Sequence, residues 1–329
     1  MLSGGRLRSS SFSAIRAAPP SLKEFAFMAN RRCRLFHVDA FTRQRYCGNP
    51  ANVVLDADDL SEDDMQTIAT EVNGETAFVL EAESGDHDVQ VKYFTPRHPV
   101  PFVGHATIAA QYVRAKTDGK PTGKLRQRTG AGIVEIEVTD AEGDLRIAIT
   151  QNPPSLGPVL PDHHRTQVLD ALGISSPSLH IDCPIQIMSK GGTARVLIGL
   201  RSPDLLNSVK PDMEELTRLT PHVGAEGFFV FALSPTDKGQ GTESRMFCPA
   251  LGIPEDPVSG NAHGMLGVYL VNQGLLTPNN GHVVFQGRQG MWVRRPGTVE
   301  VEVESSGRVA QSVRIVGDAV IVYEAEVQV

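Results

Sequence analysis

The chain has 329 residues, 40% of them hydrophobic and 21% charged, and a formal net charge of −7. That is enough length for two domains with separate cores, in a composition typical of globular proteins. The mild acidity and scattered basic residues argue against a nucleic-acid partner, and no apolar run approaches the roughly 18 residues that a membrane span needs. Met1 to Pro20 is rich in Ser and Arg and has no acidic residue. This composition fits an organelle-targeting segment, a disordered extension, or a true start at Met28, so residues 1–27 are set apart from the fold. Four widely spaced cysteines (Cys33, Cys47, Cys183, Cys248) with no C-x-x-C pair read as reduced thiols of a cytoplasmic protein.

Cys33 to Phe41 alternates and is rich in aromatic and β-branched residues, which predicts a strand. Asn52 to Leu55 continues as a second after the Gly48-Asn-Pro50 turn. Ser61-Glu-Asp-Asp64 resembles a capping box, with acids at the favourable end of a helix whose apolar stripe is Met65, Ile68 and Val72. Gly74 ends it. Thr76 to Leu80 and Val89 to Phe94 read as paired strands, and Val103 to Arg114 is apolar nearly all round, as in a helix enclosed by its own domain. Ile133 to Val138 and Leu145 to Thr150 form a hairpin pattern around Ala141-Glu-Gly143.

The turn-rich stretch Asn152 to Pro158 is the best boundary, giving lobes 28–155 and 156–329. Beyond it the order recurs: a helix near His164 to Leu172, strands at Ile185 to Met188 and Ala194 to Gly199, and a helix over Met213 to Leu219. Strands at Gly227 to Ala232 and Arg245 to Phe247, a buried helix at Gly260 to Asn272, and closing strands including Glu300 to Glu304, Val313 to Val316 and Ala319 to Tyr323 complete the series. The closing strands are allowed to cross to the first lobe.

The recurrence is also one of motif. Phe94-Thr-Pro-Arg-His-Pro-Val-Pro-Phe-Val-Gly-His-Ala-Thr107 is answered by Phe247 to His263, offset by 153 at the phenylalanines and 156 at Gly104 and Gly260. Glu75 to Val79 is matched to Glu226 to Val230 at an offset of 151, and Asn52 to Leu55 to Arg195 to Ile198 at 143. Many short strands around one long apolar helix, twice over, predict an α+β fold of two pseudo-symmetric half-barrels. No nucleotide-binding G-x-G-x-x-G or P-loop pattern occurs, which argues against NAD or ATP.

Three groups of residues carry possible chemistry. Glu75 is a lone carboxylate in a Gly-Glu-Thr turn before an apolar run. Desolvation there should raise its pKa, although a surface glutamate ending a helix is the plainer alternative. Gly104 and His105 open a buried helix whose free N–H groups favour an anion. His105 could donate to a carboxylate, assist proton transfer, or merely pack. Ser259, Gly260 and Asn261 mirror Val103, Gly104 and His105, so their N–H groups are expected to form the second half of an anion site.

Asp39-Ala-Phe-Thr42, Gly48-Asn-Pro-Ala-Asn-Val53, Asn73-Gly-Glu-Thr-Ala-Phe78, Gly104-His-Ala-Thr107 and Glu255-Asp-Pro-Val-Ser-Gly-Asn-Ala-His263 together resemble the blocks of the phenazine-biosynthesis PhzF-like isomerases, relatives of diaminopimelate epimerase. The resemblance implies half-barrels around central helices, no cofactor, no metal, a small carboxylate substrate and a homodimer. It implies that Glu75 is the general acid/base of a proton shift and that Asp256 orients substrate, against an Asx-turn reading before Pro257. Racemases of this fold carry cysteines before the two helix glycines; Val103 and Ser259 stand there instead, which disfavours two-thiol racemisation. Asn261 replaces a common serine and His263 follows it, which alters the polar lining, while Arg97 and His98 either make the pocket more cationic or are simply solvated. A metal site from His98, His105, His263, Asp256 and Glu75 lacks any recognised spacing. A non-catalytic binder of the same fold is the stronger rival.

Overall fold

In a computed structural model of the chain, residues 32–119, 122–236 and 239–329 are described. The readings made for residues 1–27 and for a start at Met28 lie outside the described residues. The elements fall into two similar runs. The first holds strands Arg32–Ala40 and Asn49–Leu55, helix α1 (Glu62–Glu71), strands Thr76–Leu80, Val89–Phe94 and Pro99–Val100, helix α2 (Gly104–Thr117), and strands Gly123–Thr129, Gly132–Ala141 and Asp144–Gln151. The second opens with strand Ser155–Val159 and helix α3 (Asp162–Leu172). It continues through Gln186–Lys190, Thr193–Leu200, helix α4 (Met213–Val223), Gly227–Thr236, Gly239–Cys248, Ile253–Asp256, helix α5 (Gly260–Gln273), His282–Gln289, Gly297–Ser306 and Val309–Gln328.

Pairings match run for run. Asn49–Leu55 lies parallel to Thr76–Leu80, as Thr193–Leu200 does to Gly227–Thr236. Val89–Phe94 lies parallel to Gly123–Thr129, as Gly239–Cys248 does to His282–Gln289. The fold is α+β: two pseudo-symmetric half-barrels, each wrapped around a central helix, α2 or α5. Both central helices bury most of their side chains on all sides, which is why neither shows a one-sided apolar stripe. Their core is one continuous cluster that runs through Ile108, Val113, Leu266 and Leu270. The sheets' outer faces are covered separately, by α1 in the first half and by α3 and α4 in the second. α1 starts as anticipated: Ser61 Oγ accepts from Asp64 N, and Asp64 returns a bond to the Ser61 N–H.

The halves are interlocked. The closing strand is a single stretch of 20 residues, Val309–Gln328, without a break at Gly317. Its first part pairs with Asp144–Gln151 and Gly297–Ser306, and from Ala319 onward it pairs with Arg32–Ala40. In the same way Asp144–Gln151 leads into Ser155–Val159, which pairs with Gln186–Lys190. Each half-barrel is therefore closed by a strand that follows directly on the other's last strand, and the turn-rich stretch Asn152 to Pro158, taken as the boundary, contributes to one. Besides the short strands Pro99–Val100, Ser155–Val159 and Ile253–Asp256, two longer ones escaped the sequence pattern. Gly123–Thr129 points Gln127 and Thr129 inward, so it shows no apolar alternation, and His282–Gln289 is interrupted by Gly287. Among the described residues no helix is long and apolar enough to cross a membrane.

Candidate active site

Glu75 is held by the way α1 stops. Val72 caps the helix, Asn73 turns left-handed (φ 49°), and a Cβ on Gly74 would lie 2.7 Å from Asn52 Nδ2, so a larger residue there would have to displace the Asn52 amide. The Glu75 carbonyl accepts from the Asn52 N–H at 2.9 Å, and the chain then enters Thr76–Leu80. The carboxylate reaches the start of α2, where its Oε2 lies 3.0 Å from His105 Nε2. No side chain caps α2 at Val103, so its first N–H groups have no acceptor within the helix. A Cβ on Gly104 would meet nothing nearer than 4.0 Å, which leaves that backbone open to a ligand.

The second half brings Asp256 from the opposite side. Its Oδ1 accepts from Asn49 Nδ2 at 2.8 Å, a bond that crosses from one half to the other, and its carbonyl accepts from Gln289 Nε2 at 2.6 Å. Gln289 Oε1 also accepts the Ser259 N–H at 3.1 Å, while Ser259 Oγ caps α5 by accepting from Ala262 N. Of the three N–H groups expected here, Ser259's is therefore committed to Gln289, and those of Gly260 and Asn261 are left facing the start of α5. Gly260 is a glycine for a packing reason, since a Cβ would lie 2.8 Å from Phe41 Cζ. The Asn261 amide donates to Thr193 Oγ1 at 3.1 Å. Asn49 and Gln289, which pin this wall, were given no role from sequence; Asn49 sits inside a quoted block, but nothing marks Gln289.

The three ionisable groups influence one another. Burial alone pushes Glu75 up, but the His105 imidazolium beside it outweighs this and holds the carboxyl below its ordinary value. Burial pushes His105 down, and Glu75, with help from Asp256 and the Pro50 carbonyl, brings it above its ordinary value. Asp256 is pushed up, first by burial and then by Glu75, against the pull of His105 and Arg195. The raised Glu75 expected from sequence is thus corrected: desolvation is real, but a counter-ion from α2 reverses its effect. The two carboxyls are thus pushed apart, Glu75 downward and Asp256 upward.

The strand register also corrects the repeat. Thr76 pairs with Phe94, and Phe228 pairs with Phe247, so Thr76 corresponds to Phe228 and Glu75 to Gly227, not to Glu226. Asn52 pairs with Thr76 and Val196 with Phe228, so Arg195 corresponds to Ala51. A slip of one residue exchanges the faces of a strand, and the faces agree: Ala77 and Phe229 point inward, Phe78 and Phe228 outward.

The model of the phenazine biosynthesis-like family PhzC-PhzF matches residues 38–325. The chain belongs to this family. An uncharacterized isomerase of Clostridium acetobutylicum is 39% identical over 297 residues, covering 90% of this chain and 98% of that one. Trans-2,3-dihydro-3-hydroxyanthranilate isomerase of Pseudomonas fluorescens is 32% identical over 280 residues, covering 84% and 92%. The crystal structure of a PhzF-family protein of Bacillus anthracis superposes with a TM-score of 0.79 at 29% identity, over 91% of this chain and all of that one. The chain is a PhzF-like isomerase.

Within this PhzF-like frame, several residues near the motifs are placed by packing or by solvent. His263 is fully buried: its Nδ1 bonds the Ser259 carbonyl at 2.8 Å, its Nε2 lies 3.3 Å from Ser244 Oγ, and its ring meets Phe229 edge-on. It packs the second half's core and does not line the pocket, and burial pushes it down to about 4. Arg97 and His98 are exposed in a turn held by Thr95 Oγ1. Cys47 and Cys248 are buried, and burial pushes the Cys248 thiol up to about 12. Among the described residues no three His, Cys, Asp or Glu side chains are grouped to hold a metal ion.

Proposed function

We propose that this isomerase shifts a proton on a small carboxylate substrate, without a cofactor, through Glu75 as a single acid/base. The observation that carries the reading is the Glu75–His105 contact of 3.0 Å beside the uncapped start of α2. The substrate carboxylate docks against the N–H groups of Gly104 and His105 and, across the cleft, of Gly260 and Asn261. The ionised Glu75 takes a proton from carbon, and the electron pair left behind delocalises toward the carboxylate, where those N–H groups stabilise the charge. Glu75, now a carboxylic acid, returns the proton at another carbon, so a double bond moves and nothing is oxidised or reduced. His105 holds Glu75 ionised between turnovers, and Asp256, retaining its proton, donates to a heteroatom that orients the substrate. In this reading the lobes 28–155 and 156–329 form opposite walls of the cleft, and the enzyme works as a cytoplasmic homodimer.

The test is incubation in D2O with small amino and cyclic unsaturated acids, trans-2,3-dihydro-3-hydroxyanthranilate among them, followed by NMR. Deuterium entering one compound at carbon supports the reading. Binding without exchange across the panel overturns it in favour of a non-catalytic binding protein.

A further inference from the structure

At the second half's counterpart of Glu75 the chain has Gly227, and the space a side chain would take is filled. A Cβ on Gly227 would lie 2.6 Å from Cys248 Sγ and 2.9 Å from both Arg195 Cδ and Met246 Cε. Arg195 stands where the first half has only Ala51 and pairs with Gly227, so beside the position that mirrors the Glu75 carboxylate the second half carries a guanidinium side chain. Arg195 lies on the inward face of its strand, between Leu197 in the core and Thr193, which takes a hydrogen bond from Asn261 at the start of α5. It is 9% exposed. Its Nη1 donates to the Ala194 carbonyl at 2.8 Å and to Glu226 Oε2 at 3.1 Å, while its Nε is buried with no acceptor.

A guanidinium has five N–H donors and keeps its charge at every physiological pH. Leaving one of them buried and unbonded costs about 1–3 kcal/mol, which an anionic acceptor in the cleft would recover. Its place on the inward face of the strand, in line with Leu197, turns the side chain toward the interior of the half-barrel, where its charge also acts on Asp256. A substrate carboxylate docked at the two helix starts leaves the unpartnered Nε of Arg195 for a second anionic group, held away from the carbon that Glu75 deprotonates.

We propose that Arg195 binds a second carboxylate of the substrate and makes this enzyme selective for dicarboxylic acids. The proposal rests on the reading of this cleft as a site for small carboxylates, but its test reads binding and needs no turnover. Wild type, Arg195→Lys, Arg195→Met and Arg195→Met/Glu226→Gln are titrated by calorimetry with succinate, glutarate and adipate, and with the monoamide of each. The double variant removes the partner that Arg195→Met would leave unpaired.

The expected result is that wild type binds at least one diacid about 30-fold more tightly than its monoamide, and that both Met variants lose this preference while keeping their affinity for the monoamide. Arg195→Lys, which keeps the charge but not the fork, should retain only part of the preference, and it carries the test if the Met variants do not fold. Equal binding of diacid and monoamide by wild type, binding of neither, or a preference unchanged in the variants overturns the proposal. Failure of bound diacids to exchange hydrogen in D2O counts against the proton-shift reading alone.

Discussion

Glu75 and Gly227 occupy equivalent positions in the two half-barrels, so the carboxylate that the first half carries there has no side-chain counterpart in the second. The residues before the two helix glycines, Val103 and Ser259, supply no second base either. In the proposed mechanism one group both removes and returns the proton. A substrate deuterated at the reacting carbon should therefore pass part of its label into the product in H2O, as mass spectrometry would detect. Complete washout under single-turnover conditions would point to two bases.

The Glu75–His105 pair titrates as a unit. Glu75's contribution to stability, from a lowered folded pKa, is present above the unfolded glutamate value of about 4.3 and is lost as pH falls through the lowered one. His105's contribution, from a raised pKa, is present below about 6.5 and is lost as pH rises through the raised one. The acidic limb of the activity profile should accordingly lie below about 4.3. His105→Asn leaves Glu75 with burial and Asp256 but no counter-ion, so that limb should move upward by about a unit or more. A limb that stays in place would separate His105 from the ionisation of Glu75.

His263 provides a pH effect of a different origin. Its folded pKa, about 4, lies below the unfolded value, so its influence is neutral above about 6.5. As pH falls from there the unfolded chain takes up a proton that the folded chain refuses, and stability declines until about pH 4, by ~3 kcal/mol in total. His263→Gln should flatten this decline in urea melts taken between these pH values. An unchanged slope would mean that the burial of His263 does not govern it.

Gly287 exists to admit that histidine. A Cβ there would lie 2.0 Å from His263 Cδ2, closer than any real contact. Gly287→Ala should destabilise the fold by about 1–3 kcal/mol through overpacking. Combining it with His263→Ala should restore part of the loss, which chemical denaturation can measure as a coupling energy.

Much of the architecture was legible because two long apolar helices and their proline-broken loops recur in order. What escaped was whatever depended on facing direction. The offset that pairs Glu75 with Glu226 is wrong by one residue, and in a strand one residue turns a side chain to the other face. Gly123–Thr129 was invisible because its inward positions, Gln127 and Thr129, are polar: Gln127 joins Tyr93 and Gln111 in a buried hydrogen-bonded network. The direction of the Glu75 shift was missed because its cause, His105, lies 30 positions away in sequence and is brought near only by the packing of α2. His263 drew attention as a histidine near a motif, and its helical position, one turn after Ser259, carries it into the core.

The most direct test of the central claim is the rate of carbon-hydrogen exchange into D2O for an exchanging substrate, compared between wild type and Glu75→Gln. The glutamine keeps the shape of the side chain and removes its basicity. The account predicts a loss of at least about a hundredfold, with the far-ultraviolet circular dichroism and the affinity for substrate retained. A variant that folds, binds and exchanges at a rate near that of wild type would contradict it.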